Sequence, residues 1–472
     1  MDKPLTPYPY QQADIDNLVK HEGTGLVVTE VGGGKTLVAV SVALKIKFGT
    51  KLIIAPQGTH KKAWTRTVER QTRGTQSVRR LDSTKKGRAA WADMIWGVEG
   101  WYICTPQWFA RQNWNTVEVD FTVFDEIHVA GNYKNATRKR LHQLTSGARL
   151  GLSGTPLRNK IENAWAIVKW INPDLMPDNY WMWRMSPDLL WKYDRFSPQQ
   201  RMITGEKEPG KIVNSLPCYI QHLQREKCCT YHPGGFLPDL PEPAVEVRTV
   251  QMTPAQRRFY RQMEETYVAW LTTPDENGQT PVVAELPIVA RGMLRFCALA
   301  LPSVDEETGK LYFADDAPSP KYEELVTVLD EMGTAPALVL THSQKYARMV
   351  THRLNEDGYP SFEWSGANTQ KRRDDALDRF MDGELRTIVA VITAIGTGTD
   401  GLQEATSTEI WMSEEDDSTA NQQTKGRLDR HGQKNQVVRI YIRAEDTQDE
   451  GIHSKNLQKA LSMAATLRKR AA

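Results

Sequence analysis

A short apolar run, GLVVTE (25–30), leads directly into three consecutive glycines and a Lys-Thr pair, TEVGGGKT (29–36). An Ala/Val/Leu-rich stretch, TLVAVSVALKIKF, follows at once. The apolar run has the length of a buried strand, and the stretch after the glycines has the length of a helix. Strand, glycine loop and helix in this order form a phosphate cradle. Gly32, Gly33 and Gly34 carry no Cβ, so backbone N–H groups can approach phosphate oxygens closely. Lys35 has the charge and reach for the β and γ phosphates of a nucleotide, and Thr36 has a hydroxyl suited to Mg²⁺. The following helix start adds a favourable dipole. Thr29 stands where the usual pattern has a glycine.

A nucleotide site needs a second, acidic half, and FTVFDEIH (121–128) supplies it at the end of an apolar run. Asp125 is the candidate Mg²⁺ holder. Glu126 is the candidate base that polarises an attacking water.

Further β-rich runs, KLIIAP (51–56), WYICTP (101–106) and ARLGLSG (148–154), alternate with helical segments. That rhythm predicts βαβ units and a parallel sheet. It stops over 164–240, a stretch rich in Trp and Pro, and LPDLPEPAVEVRTVQM (237–252) reads as a linker entering a strand. A helix is expected over 253–271 and loops over 272–320. From 321 the α/β rhythm resumes, with strands ALVLTH (337–342), TIVAVIT (387–393), TEIWMS (408–413) and VVRIYIR (437–443). The expected fold class is α/β. Lobe one takes residues 1–236, a linker and helical insertion 237–320, and lobe two 321–472.

The 472 residues divide unevenly in charge: 1–240 hold 33 Lys/Arg against 22 Asp/Glu, and 241–472 hold 27 against 36. A basic first half predicts a polyanionic partner on that side. No apolar run reaches membrane-spanning length, and the N-terminus lacks the apolar core of a signal peptide. No membrane partner is therefore expected. The five cysteines form no CxxC pair, and Cys228, Cys229 and His232 lack the spacing of a metal site.

The motifs together resemble the superfamily-two helicases and translocases. DEIH is similar to their DEAH box, and LSGTP (152–156) to the motif that couples nucleotide state to nucleic-acid contact. LRNKIENAWAIVKWINPD (157–174), WSGANTQKRRDDALDRFMDG, ITAIGTGTDGLQEA (392–405) and QTKGRLDRHGQKNQVVRIYI (423–442) narrow the resemblance to SWI/SNF-type DNA-dependent ATPases. The resemblance implies two tandem RecA-like parallel-sheet lobes with a partly helical insertion between them, ATP and Mg²⁺ as cofactors, and DNA, duplex or branched, as track. It implies an adenine-reading Gln11, coupling by Ser153 and Thr155, and catalytic support from Gln423, Arg427 and Arg430. On a helix, the two arginines would share a face. The candidate DNA contacts are Lys61, Lys62, Thr105, Ser343, Gln344 and Thr393. EEDDSTAN stands where the family usually has Trp-Asn-Pro, and Gln224-Arg225 where it has paired arginines.

The expectation is thus an ATP-dependent DNA translocase, monomeric and cytoplasmic, of a compact bacterial or phage type. A strand-separating helicase and an ATP-gated DNA scaffold are the alternatives. The basic run RRLDSTKKGR (79–88) reads as a solvated loop, with an extra DNA contact as the alternative. Trp165, Trp170, Trp181, Trp183 and Trp191 read as core packing of a helical segment, with base stacking as the alternative.

Overall fold

The computed structural model describes residues 3–30, 32–157, 160–193, 201–224, 240–272, 279–305, 307–396, 401–430 and 432–467. Two compact units are present: Met1–Pro238 with Lys459–Ala472, and Asp239–Gln458. Cys228, Cys229, His232, Arg225 and residues 397–400 lie outside the described residues.

Unit one is built on a wholly parallel seven-stranded sheet. Its strands are β1 (Gly25–Thr29), β2 (Thr50–Ile54), β3 (Val78–Arg80), β4 (Gly100–Cys104), β5 (Glu118–Asp125), β6 (Thr145–Ser153) and, after a β7 (Leu189–Tyr193)/β8 (Arg201–Glu206) hairpin, β9 (Tyr219–His222). Their spatial order is β3-β4-β2-β5-β6-β1-β9. Both faces are covered, which is why the central strands read as continuous apolar runs rather than alternating ones. Leu52, Ile54 and Phe124 face one apolar layer; Ile53, Val123 and Leu150 face the other. In the helix Lys35–Ile46, Val38, Ala39, Val40, Val42 and Ala43 are at most 2 % exposed, so the helix is held against the sheet by nearly all of its small side chains. Leu467 belongs to this unit's core, and its carbonyl accepts from the Tyr219 hydroxyl.

Unit two has its own parallel sheet. Its strands are β10 (Ala244–Val250), then, after two short hairpins (β11, Val268–Thr272, with β12, Gln279–Val283; β13, Ser303–Val304, with β14, Leu311–Tyr312), β15 (Ala337–Thr341), β16 (Ser361–Trp364), β17 (Thr387–Val391), β18 (Thr408–Trp411) and β19 (Val438–Ala444). The order is β10-β19-β18-β15-β17-β16. Helices Pro254–Thr266 and Pro287–Cys297 pack with the β11/β12 hairpin around Phe259, Met263 and Leu294.

Several local expectations differ from the structure: the stretch 272–320, expected as loops, holds the helix Pro287–Cys297 and strands of two hairpins, and the helix expected over 253–271 ends at Thr266. The basic run at 79–88 is not a loop: Val78–Arg80 is an edge strand, and Thr84 caps a helix over Lys85–Ile95, its side chain accepting from Gly87 N. The strand expected after the prolines at 238–243 forms as β10, but it belongs to the second sheet rather than to a linker, because it pairs with β19 through seven registered residues. Arg427 and Arg430 do not share a helical face. The helix Ser418–Lys425 ends at Gly426, and both arginines lie in the turn beyond it.

Candidate active site

In parallel α/β sheets, ligand chemistry gathers at the carboxyl ends of the strands. Thr29 ends β1, Asp125 ends β5 and Ser153 ends β6, and the pairings Val28↔Ser153 and Asp125↔Leu152 set these ends at one level of the sheet. The glycine loop leaves β1 at this edge. Gly32 and Gly34 have φ of 91° and 76°, which favours glycine at both. A Cβ on Gly34 would also lie 2.2 Å from Gln11 Nε2. The helix behind the loop starts at Lys35 with no side chain capping its first N–H groups. Lys35 Nζ donates to Thr29 O at 2.6 Å, so its ammonium is folded over the mouth of the loop.

The loop is braced from the N-terminal helix Pro9–Lys20. Tyr10 Oη donates to Gly33 O at 3.0 Å, and Gln11 Nε2 donates to the same carbonyl at 3.2 Å. Gln11 Oε1 accepts from Tyr8 N, completing a capping box. Gln11 is thus buried against the loop.

The two carboxylates are held very differently. Asp125 is 8 % exposed, and its Oδ2 accepts from the indole N–H of Trp64 at 3.0 Å. Burial, and then the adjacent Glu126 charge, push its pKa up to about 6, against the pull of the Trp64 donor and Lys35. Glu126 moves the other way. Burial would raise it, but His128, Lys35 and the Ser153 hydroxyl together hold it well below the usual carboxylate range. Of the two, Glu126 is the carboxyl that loses its proton first. His128 Nδ1 lies 3.1 Å from Glu126 Oε2, and Ser153 Oγ donates to the same oxygen at 3.1 Å. Ser153 Oγ in turn accepts from Thr155 N at 3.0 Å. Glu126 has φ 57° and ψ 51°, a left-handed conformation costly for a residue with a side chain.

Donors and acceptors at this edge fit a magnesium nucleotide. The uncapped helix start and Lys35 suit phosphate oxygens. The Thr36 hydroxyl and the Asp125 carboxylate are oxygen ligands of the kind Mg²⁺ prefers. Among the described residues there is no cluster of three or more His, Cys, Asp or Glu side chains that would hold a metal by itself.

The remaining candidates scatter. Thr105, after β4, caps the short helix Pro106–Phe109 by accepting from Trp108 N, and Ser343 caps Gln344–Glu356 by accepting from Tyr346 N. Both hydroxyls therefore have structural tasks. Gln344 is exposed and donates to Ser365 Oγ at 3.2 Å; Thr393 and Lys61 are exposed. Lys62 follows Lys61 in the helical turn His60–Thr65. Gln423 is half-buried in the helix Ser418–Lys425. Arg427 Nη2 donates to Gly396 O. The acidic stretch that replaces Trp-Asn-Pro grips the helix Pro287–Cys297: Arg295 Nη1 reaches Asp416 at 3.0 Å, and Arg291 pairs with the same carboxylate. Sequence reasoning missed Tyr10, Trp64 and His128 as parts of the site. His128 lay inside a quoted motif and Tyr10 beside Gln11, but nothing local marks Trp64 as a partner of Asp125.

The SNF2-related domain family matches residues 10–282. The chain is 23 % identical over 477 residues to the ISWI chromatin-remodeling complex ATPase ISW1 of Saccharomyces cerevisiae, covering 96 % of this chain and 40 % of the relative. It is 22 % identical over 369 residues to Protein CHROMATIN REMODELING 24 of Arabidopsis thaliana, covering 72 % of this chain and 33 % of the relative. The chain thus spans well under half the length of these two relatives. A solved SWI2/SNF2 ATPase core from Sulfolobus solfataricus, in complex with dsDNA, aligns over 99 % of this chain and 95 % of its own, with 17 % identity and a TM-score of 0.43.

Proposed function

Because the chain belongs to the SNF2-related domain family, we propose that it is an ATP-hydrolysing motor that moves along duplex DNA. The observation that supports this best is one arrangement in unit one. The glycine loop with Lys35, the acidic pair Asp125–Glu126 and the Ser153 hydroxyl stand at one sheet edge, and the Lys35 charge acts on both carboxylates.

In this reading Lys35 neutralises the β and γ phosphates, while Gly32, Gly33, Gly34 and the N–H groups at the helix start orient them. Thr36 and Asp125 would hold Mg²⁺, which when bound neutralises phosphate charge. Glu126, already ionised, orients the attacking water and accepts its proton. Ser153 senses the state of Glu126 directly and passes it to Thr155 through the Thr155 N–H. Gln11 sits beside the loop, where an adenine ring would lie. Gln423, Arg427 and Arg430 supply transition-state charge and its support, by the family resemblance. Lys61 and Lys62, with Gln344 and Thr393, are the DNA contacts this reading favours, since all suit backbone phosphates. Thr105 and Ser343 would meet DNA only while keeping their capping bonds.

Translocation on duplex is preferred over strand separation because of the family resemblance carried by 157–174 and 423–442. The test measures ATPase activity and displacement of a triplex-forming strand. Duplex should stimulate hydrolysis and the third strand should be displaced, with a long blunt duplex left paired. Glu126→Gln should bind ATP and stall. Stimulation by single strands alone, with processive fork unwinding, would favour the helicase.

A further inference from the structure

The chain leaving Asp125–Glu126 and the chain leaving Ser153–Thr155 run to a common surface groove on unit one. The groove encloses about 760 Å³. Tyr133, Tyr180, Trp181, Arg184 and Trp191 line it. The five tryptophans of this region divide accordingly. Trp165, Trp170 and Trp183 are buried in the core and Trp191 is partly buried against it, whereas Trp181 is 55 % exposed and stands beside Met182 and Met185, also exposed. Large apolar side chains concentrated at one exposed spot and mixed with cations mark an interaction surface.

The rings are already engaged with one another. Tyr133 and Tyr180 stack with centroids 4.0 Å apart. Trp181 stands edge-on to both, at 5.9 and 5.4 Å. The Arg184 guanidinium lies over Trp181 at 5.4 Å and over Trp191 at 5.5 Å. A nucleobase needs an open ring face to stack on, and here Tyr133 and Tyr180 each take one face of the other while Arg184 stands over Trp181 and Trp191. A protein side chain wedged beside the rings needs no such face. Trp, Tyr, Met and Arg are also the residues that concentrate binding energy at the centres of protein interfaces. Among the lining side chains, Lys134, Lys160 and Arg184 outnumber the one carboxylate, Glu162. The complement of this surface is acidic.

We propose that this groove docks an acidic segment of a partner protein, anchored by an aromatic or aliphatic side chain placed among Tyr180, Trp181 and Trp191. The inference does not depend on the nucleotide site being active.

A random peptide library displayed on phage, panned on the full chain and counter-selected on a Trp181→Ala/Arg184→Glu variant, tests it. Enriched peptides should carry net negative charge and a Trp, Phe or Leu. Synthetic copies should bind the unaltered chain and lose at least about tenfold in affinity to each single variant, as expected for a central interface residue. Circular dichroism and DNA-free ATPase activity should stay unchanged in both variants, which separates lost docking from lost folding. Enrichment of basic or uncharged peptides, or no enrichment over the counter-selected variant, would overturn the proposal. So would a Trp181→Ala effect confined to binding of oligo-dT, or to a concentration-dependent sedimentation of the chain with itself.

Discussion

The indole N–H of Trp64 donates to Oδ2 of Asp125 across 3.0 Å, in a setting where Trp64 has no exposed surface at all. Trp64 belongs to the turn His60–Thr65, a π-helix, which also presents exposed Lys61. Such wide turns often occur at functional sites. One short turn thus carries a candidate DNA contact and a hydrogen bond to the proposed Mg²⁺ ligand. Trp64→Phe removes the donor and leaves a small cavity where the second ring of the indole stood. Outer-shell partners of metal ligands typically cost about 10- to 100-fold in metal affinity or activity when removed. The apparent Mg²⁺ requirement for ATP hydrolysis should rise by that order, alongside a loss of thermal stability from the cavity. An unchanged Mg²⁺ titration would reduce Trp64 to packing.

Ser153 makes the second prediction. Its hydroxyl is fully buried, donates to Glu126 Oε2 and accepts from Thr155 N. Ser153→Ala removes the link between the proposed base and the coupling motif and leaves the phosphate loop intact. DNA-stimulated turnover should fall about tenfold with KM for ATP within about threefold, the pattern of an interaction that matters after binding. An equal loss with and without DNA would place Ser153 in the basal chemistry alone.

Arg430 is the third. Arg430→Ala should leave ATP affinity within a few-fold and lower kcat by about 10³-fold, the scale of a transition-state arginine. Its turn follows Gly426, with Arg427 N bonded to Thr424 O and Arg430 N to Leu428 O. Arg427→Lys should then be poorly tolerated too, since the guanidinium that bonds Gly396 O presents a fork that an ammonium lacks. Wild-type turnover in Arg430→Ala would remove it from the catalytic set.

The contrast between Lys35 and Trp64 explains what a sequence discloses here. Lys35, Thr36, Asp125 and Glu126 sit in motifs whose local order, strand then loop or strand then acidic pair, already dictates geometry. Trp64 meets Asp125 across 61 residues, through the packing of two strands and a turn. The same limit hid the pairing of the strand expected after the prolines, since β10 joins β19 almost two hundred residues later. Arg427 and Arg430 show a different failure. A spacing of three implies one helical face only while the helix lasts, and Gly426 stops it. The run at 79–88 looked like a loop because its charges are exposed; an edge strand and the outer face of a capped helix are equally polar. The tryptophans read correctly as core for Trp165, Trp170 and Trp183, and Trp181 departs because it follows the Asn179 cap at the exposed start of a short helix.

The last prediction concerns the track. Lys61 is exposed on the turn that carries Trp64, and Lys62 continues that turn. The basic excess of residues 1–240 makes unit one the side on which phosphate contacts should concentrate. Each phosphate neutralised releases condensed counterions, so affinity for duplex should fall linearly in log–log plots against salt, with a slope near 0.9 per contact. Lys61→Ala/Lys62→Ala should weaken binding to duplexes of unrelated sequence alike and flatten that slope by about two. Because Trp64 N–H and Asp125 are untouched, the double variant should retain DNA-free hydrolysis while needing more DNA for half-maximal stimulation. Measuring affinity and stimulation over the same salt series separates the roles. A flatter slope with unchanged maximal rate makes the lysines contacts to the track; a lower maximal rate at saturating DNA makes the turn part of the coupling; an unchanged slope returns both lysines to the solvated surface.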